Sequence, residues 1–267
     1  FNIGTPSIIH LFLADVSTQE ELDRGLIGTT LRMLPTGVDF EHSIVYYCAE
    51  EGTEIRFMDH FDNFSYAFNL FGANGDVLVE NGMDSPLILD QKGYYWITCN
   101  TDLLTISVSD PISPNDVPDA RTVPGEPWLF GRGVDTNHGG WDTYSDYMSI
   151  DDDNLYLFHI ETPLGDAENE GYCEGCIGIE LNGNTEWNDE YIWDDILWFG
   201  YHWYQDDIID EIDANGGKPE GWAGRAGELE TWSDEEENYW NVWTDLSATY
   251  RISQDMYTRR TRIFRID

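Results

Sequence analysis

Prolines at positions 111, 114, 118, 124 and 127 crowd the stretch DPISPNDVPDARTVPGEP, residues 110 to 127. Each removes a backbone donor and fixes its own φ, so neither a helix nor the ladder of a central strand continues through such a stretch. Large apolar side chains are nearly absent from it, which leaves nothing to pack, and the composition stiffens toward an extended connector. The chain of 267 residues is thereby cut into two parts, each long enough to bury a core of its own. The expected division is a first module over 1–110, a linker over 111–127 and a second module over 128–267.

Both parts read as β. Runs rich in aromatic and β-branched residues recur before the linker: IIHLFLA (8 to 14), SIVYYCA (43 to 49), EIRFMDH (54 to 60), YYWITCN (94 to 100) and LLTISVS (103 to 109). Turn clusters such as GANGD (72 to 76) and NTD (100 to 102) separate them, the spacing of an antiparallel sandwich. A short helix is expected between Glu20 and Met33 on Leu22, Leu26 and Met33, against the cost of Gly25 and Gly28. After the linker the plan restarts. WLFGRG (128 to 133) answers LFLADV (11 to 16), LYLFHIE (155 to 161) answers SIVYYCA, and CIGIELNGNTEWNDEYIW (176 to 193) answers GTEIRFMDHFDNFSYAF (52 to 68). NYWNVWTDLSATYRIS (238 to 253) is aligned with GYYWITCNTDLLTISVS (93 to 109). The expected fold is all-β, two tandem antiparallel β-sandwich domains of immunoglobulin-like or carbohydrate-binding-module-like type.

The charge narrows the partners. With 13 Lys+Arg against 52 Asp+Glu the formal charge is -39, which repels phosphate, so nucleic acid and anionic membrane are poor partners. No apolar run reaches the ~20 residues that cross a bilayer. The first residue is Phe1, and the chain is read as trimmed, with any signal peptide removed. Cys48 and Cys99 sit in strand-like runs and read as buried thiols. The pair in GYCEGC, Cys173 and Cys176, lacks the second pair or the histidines of a zinc finger and, in an oxidising compartment, is better suited to a local disulfide tightening a loop. The acid runs IDDDN (150 to 154) and WSDEEEN (232 to 238) lack the spacing of a calcium loop and read as solvated turns. No cofactor and no metal site is expected.

Tryptophan is unevenly spread. Trp96 stands alone before the linker, and the other ten of the 11 begin at Trp128. A pyranose stacks its axial C–H groups on an indole face while its hydroxyls take polar partners such as Asp, Asn and Arg. That chemistry needs aromatic side chains on loops among short polar residues. Trp141 in GGWDT, Trp187 in NTEWND, Trp222 in EGWAGR and Trp232 in ETWSDE meet the description, with His138, Asp142 and Arg225 as polar neighbours. Trp96 in YYWIT and Trp128 in PWLF have apolar neighbours and are expected in the core. In ILWFGYHWY (196 to 204) alternation puts Phe199, Tyr201 and Trp203 on one face and Trp198, His202 and Tyr204 on the other. His10 and His159 fall in strand patterns.

The middle piece GTEIRFMDHFDNFSYAFNLFG (52 to 72), the closing piece GYYWITCNTDLLTISV (93 to 108) and the Gly-Trp loop HGGWD (138 to 142) together resemble SusE/SusF-type outer-membrane glycan-binding lipoproteins of Bacteroidetes. The resemblance implies tandem starch-binding-type modules, a lipid anchor at the cell surface lying in a trimmed N-terminal segment, and glycan held without cleavage. It further implies polysaccharide or oligosaccharide as ligand and an outer-membrane glycan transporter complex as neighbour, the chain itself being a monomer. Trp141 is the residue it assigns to the site. The first module departs from the pattern, with ADVSTQEELDRGLIGTTLRML (14 to 34) in place of a Gly-Trp loop. The second adds an insertion rich in acid and tryptophan, residues 206 to 238.

Two other classes compete. A β-sandwich glycoside hydrolase needs two carboxylates flanking the scissile bond, and Glu186, Asp189 and Glu190 around Trp187, with Asp194 and Asp195 after Trp193, offer them in a chain where acids are common. No nucleophile elbow, P-loop or zincin pair accompanies them. A surface module that binds a protein partner is the other alternative, and salt separates it from a saccharide receptor, since attraction through charge is screened.

Overall fold

The computed structural model describes residues 11–24, 29–59, 70–72, 75–79, 85–117, 123, 125–132, 146–165, 171–180, 196–202, 228–231, 240–258 and 260–267. They divide into two compact units, one before Pro118 and one after it. The first contains β1 (Leu11–Ala14), α1 (Gln19–Arg24), β2 (Thr30–Pro35), β3 (Glu41–Cys48), β4 (Thr53–Met58), β5 (Leu70–Phe71), β6 (Val77–Val79), β7 (Leu87–Leu89), β8 (Gly93–Asn100) and β9 (Thr105–Val108). Among the described residues these strands join in the order β6-β5-β9-β8-β3-β2-β1-β4-β7, antiparallel except for the β5 and β9 pair. β2 changes partner midway: Thr30 to Met33 pair with β1, while Leu34 and Pro35 pair with β3.

Alternation decides which face is core. In β3 His42, Ile44, Tyr46 and Cys48 are buried and the residues between them are not. In β8 Tyr95, Ile97 and Cys99 point the same way, joined by Ile106 of β9. The helix is shorter than the sequence pattern suggests. A capping box fixes its start, with Glu21 N–H donating to Thr18 Oγ1 at 3.1 Å and Thr18 N–H to Glu21 Oε2 at 2.9 Å. Leu22 then packs on Ala14 and Met58. Met33, assigned to the same helix from sequence, belongs instead to β2, opposite Leu11, where hydrogen bonding to β1 outweighs a weak helical periodicity. Residues 25–28 lie outside the described residues.

Ile112 exchanges both backbone hydrogen bonds with Tyr94 at 2.9 Å, and a short turn follows at Pro114–Asp116. The second unit contains β10 (Glu126–Arg132), β11 (Asp146–Tyr147), β12 (Ser149–Ile150), β13 (Leu157–Pro163), β14 (Tyr172–Glu180), β15 (Ile196–His202), β16 (Glu228–Thr231), β17 (Trp240–Trp243), β18 (Thr249–Asp255) and β19 (Arg260–Arg265). The described order is β11-β10-β14-β15-β16-β19-β18-β13-β12, with β17 added to β14. Leu129, Phe158, Cys173, Ile177, Ile179, Tyr250, Ile252 and Ile263 build its core.

The strand pairings of the two units correspond. β1 pairs with β4 as β10 pairs with β14, and β3-β8-β9 is matched by β13-β18-β19. The registers agree as well: Glu41 faces Asn100 and Asn100 faces Thr105, just as Leu157 faces Asp255 and Asp255 faces Arg260. Asn100 Oδ1 accepts from the N–H groups of Asp102 and Leu103, and Asp255 Oδ1 from those of Tyr257 and Thr258, so both hairpins carry the same side-chain cap. A tyrosine is anchored just upstream in each. Tyr95 Oη donates to the Gln91 carbonyl at 2.9 Å, and Tyr250 Oη accepts from Asp245 N–H at 2.8 Å. The closing piece of the sequence repeat is therefore misaligned by one strand. ATYRISQD (248 to 255), not NYWNVW, takes the place of GYYWITCN (93 to 100), and β17 pairs with β14 instead.

The Cys-x-x-C pair lies in β14, not in a loop. Three residues along a strand span about 10 Å, beyond the ~7 Å that a disulfide bridges, so a local bridge between Cys173 and Cys176 does not fit. Cys48 and Cys99 are buried thiols outside any disulfide, as their strand settings suggest.

Candidate functional site

All seven residues singled out from the sequence, His138, Trp141, Asp142, Trp187, Trp222, Arg225 and Trp232, lie outside the described residues. What the structure gives is the strands that bracket them. The segment with His138, Trp141 and Asp142 follows the last residue of β10, Arg132, whose partner is Glu174 near the start of β14. Trp187 falls between Glu180 and Ile196, which are direct partners and end β14 and begin β15. Trp222 and Arg225 fall between His202 and Glu228, again direct partners, and Trp232 follows Thr231 at the end of β16. The four bracketing strands, β10, β14, β15 and β16, are consecutive neighbours in one sheet.

Trp96 departs from expectation. Its apolar neighbours suggested a core position, yet 51% of its surface is exposed. Tyr95 and Ile97 point into the core, and a strand alternates, so the residue between them points out. Its backbone is held by Ser109, whose hydroxyl accepts from Trp96 N–H at 3.0 Å and donates to the Asp110 carbonyl at 2.8 Å. Across the outer face the register forms one row of Val45, Trp96 and Ser109 and a second of Ser43, Thr98 and Ser107. Tyr47, one step along β3, packs against Tyr94 with ring centroids 4.8 Å apart. Neither row contains a charged side chain.

In the second unit the corresponding pair is Glu161 and Arg251, which form an ion pair on the surface, Arg251 Nε donating to Glu161 Oε1 at 3.0 Å. Trp128, also expected in the core, is half-buried and meets Tyr147 edge to face at 5.5 Å. The acid run at 150–154 is a turn, closed by Asp151 Oδ1 accepting from Asp153 and Asn154 N–H groups at 2.9 Å. Among the described residues no three His, Cys, Asp or Glu side chains converge as metal ligands. No described helix is long and apolar enough to cross a membrane, which says nothing about strands.

No family model matches the chain and no curated protein matches it. Among solved structures it is similar to SusF from Bacteroides thetaiotaomicron, with a TM-score of 0.34 and 10% identity, covering 96% of this chain and 47% of that one. The chain thus spans less than half the length of that protein.

Proposed function

We propose that the chain is a non-catalytic glycan-binding protein of the cell surface, built from two tandem β-sandwich modules and holding polysaccharide or oligosaccharide on tryptophans of the second. The observation that carries the reading is the sequence setting of those tryptophans together with the strands described on either side of them. Trp141, Trp187, Trp222 and Trp232 each stand among glycine or polar residues, and the described strands that flank them in the chain, β10, β14, β15 and β16, are consecutive neighbours in one sheet. An indole needed only for packing belongs on an inward strand position, as Tyr95 and Tyr250 do. The sandwich architecture is supported by the partner change within β2, a device for turning a corner between packed sheets. A tyrosine near the start of a strand, tied to backbone just upstream of that strand in both units as in immunoglobulin-like domains, supports it further. A lipid anchor at the outer membrane and work beside a glycan transporter belong to the same reading.

The test is calorimetric titration of the purified chain with α- and β-glucans, mannans, xylans and pectins, with reducing ends assayed in parallel. Association with one class that is insensitive to salt and releases no reducing ends is the expected result. Trp141→Ala should weaken it while leaving the circular dichroism spectrum unchanged. Silence across the panel refutes the reading and favours a protein partner, whose capture should then fall with salt.

A further inference from the structure

We propose that the first unit carries a saccharide-binding surface of its own, the outer face of β3, β8 and β9, with Trp96 as the stacking platform for an uncharged glycan. The proposal rests on the glycan-binding reading and adds to it a site in the part of the chain that lacks a Gly-Trp loop.

The fold does not require an indole at this position. The corresponding register position in the second unit holds Arg251 opposite Glu161, where the first holds Trp96 opposite Val45. One strand scaffold thus accepts a solvated ion pair or an apolar pair on its outer face, and leaving a large aromatic surface in water is not a by-product of folding. Folding alone does not choose between the two, because an exposed ion pair contributes little.

The surroundings select the ligand. Hydroxyls of Ser43, Thr98 and Ser107 lie one row from the indole, and none of them makes a hydrogen bond among the described residues. Ser109 pins the backbone beneath the ring. An apolar plate bordered by hydroxyls that both donate and accept matches a pyranose, with C–H groups on its face and hydroxyls at its edge. The three strands span about 10 Å, room for one or two sugar rings.

The first acidic side chain on this face is Glu41, two rows away beside Asn100. A uronic or sulfated glycan would meet no cation in the two rows and would be repelled by a formal charge of -39. A neutral glycan meets neither penalty. A protein partner is a poor fit, because half-exposure of an indole offers only about 125 Å², whereas a stable interface takes about 800 Å² from each side.

The experiment uses the full chain and probes maltohexaose, cellohexaose, xylohexaose, mannohexaose and polygalacturonate. Titration identifies which probe binds, and oxidative footprinting then reads the tryptic peptide of residues 93 to 121, whose only tryptophan is Trp96. At a concentration about ten times Kd, a bound neutral oligosaccharide should cut oxidation of that peptide by about fivefold. Protection should persist in Trp141→Ala. In titration, the double substitution Val45→Glu with Trp96→Arg, which installs the pair of the second unit, should lower the binding stoichiometry by one site. Binding in solution with unchanged oxidation at Trp96 overturns this proposal and leaves the glycan-binding reading intact. Protection by polygalacturonate alone overturns the uncharged class, and absence of binding by every probe overturns both. Because the decisive readout is on the unaltered chain, a variant that fails to fold does not blunt it.

Discussion

Replacing Tyr95 and Tyr250 by phenylalanine tests whether the two anchored tyrosines hold the strands that contain them, β8 and β18. Both rings are buried, with exposures of 3% and 2%, and phenylalanine keeps that burial, so the apolar transfer contribution cancels. What is lost is one hydrogen bond each, to the Gln91 carbonyl and from Asp245 N–H. A hydrogen bond contributes about 0.5–1.5 kcal/mol net. Water reaches both Gln91 and Asp245 once the hydroxyl is gone, which places each loss near the middle of that range, about 1 kcal/mol. The two sites share no partner and lie in separate units, so the double variant should lose about 2 kcal/mol in urea unfolding at pH 7. Alkali supplies a second arm. Burial is the largest effect on both phenols and raises them above the ordinary 10.0. The folded chain therefore keeps protons that the unfolded chain releases; stability is complete below about pH 10 and falls as pH rises from there through the folded values. The double variant should lack that part of the decline. A loss under about 0.5 kcal/mol at pH 7, or the same alkaline decline in both proteins, refutes the anchoring argument.

Other consequences follow from single groups. The hydroxyl and N–H of Ser247 and the guanidinium of Arg265 hold the Asp245 carboxyl down to about 2, below its ordinary 3.8. Its contribution to stability is present above about pH 4 and lost as pH falls through about 2, and Ser247→Ala should raise the carboxyl value seen by NMR titration; an unmoved value refutes the assignment. Cys99 is buried, and desolvation pushes its thiol up. It should resist a thiol reagent at pH 8 in the native chain and react once urea unfolds it, as peptide mass spectrometry can score; native-state labelling at the unfolded rate overturns this. Gly171, at φ +87°, would place a Cβ 2.3 Å from the Thr244 carbonyl oxygen, whereas Gly37, at φ +89°, has open space around it. Alanine at Gly37 should cost about 1 kcal/mol and alanine at Gly171 at least about 2 kcal/mol more by urea unfolding, and equal losses would show that the contact with Thr244 relaxes freely.

The β elements were legible because period-two runs such as Glu41–Cys48, and the part of Gly93–Asn100 from Tyr95 onward, carry their burial in alternation. Trp96 was misjudged because apolar neighbours were read as a sign of burial. Parity was the better guide, since core residues on both sides of a strand position place it outside. The repeat slipped for a related reason. Aromatic-rich NYWNVW looks like GYYWIT, but the structure repeats a tyrosine, an isoleucine two positions on and an Asn or Asp three beyond that, found in Tyr95, Ile97 and Asn100 and again in Tyr250, Ile252 and Asp255. The helix start is fixed by Thr18 and Glu21, a capping box that the apolar periodicity from Glu20 does not use. Its end was not legible, because pairing of Thr30 to Met33 with β1 is a tertiary fact. For Trp141, Trp187, Trp222 and Trp232, which lie outside the described residues, the structure gives only the strands that flank them in the chain.

The two units show which positions the scaffold governs. On the inner face Cys99 and Ile106 of the first unit are replaced by Gln254 and Thr261 in the second, and the exchange is compensated within the pair, Thr261 Oγ1 donating to Gln254 Oε1 at 2.7 Å with both residues buried. A buried polar group demands a partner, so inner positions change together. On the outer face Val45 and Trp96 correspond to Glu161 and Arg251, and there water satisfies the charges whether or not they pair, which makes such an exchange nearly neutral for folding. Identity at an inner position therefore reports on packing. Identity at an outer one is released from it, and an indole kept in water at such a position is best explained by what it contacts outside the chain.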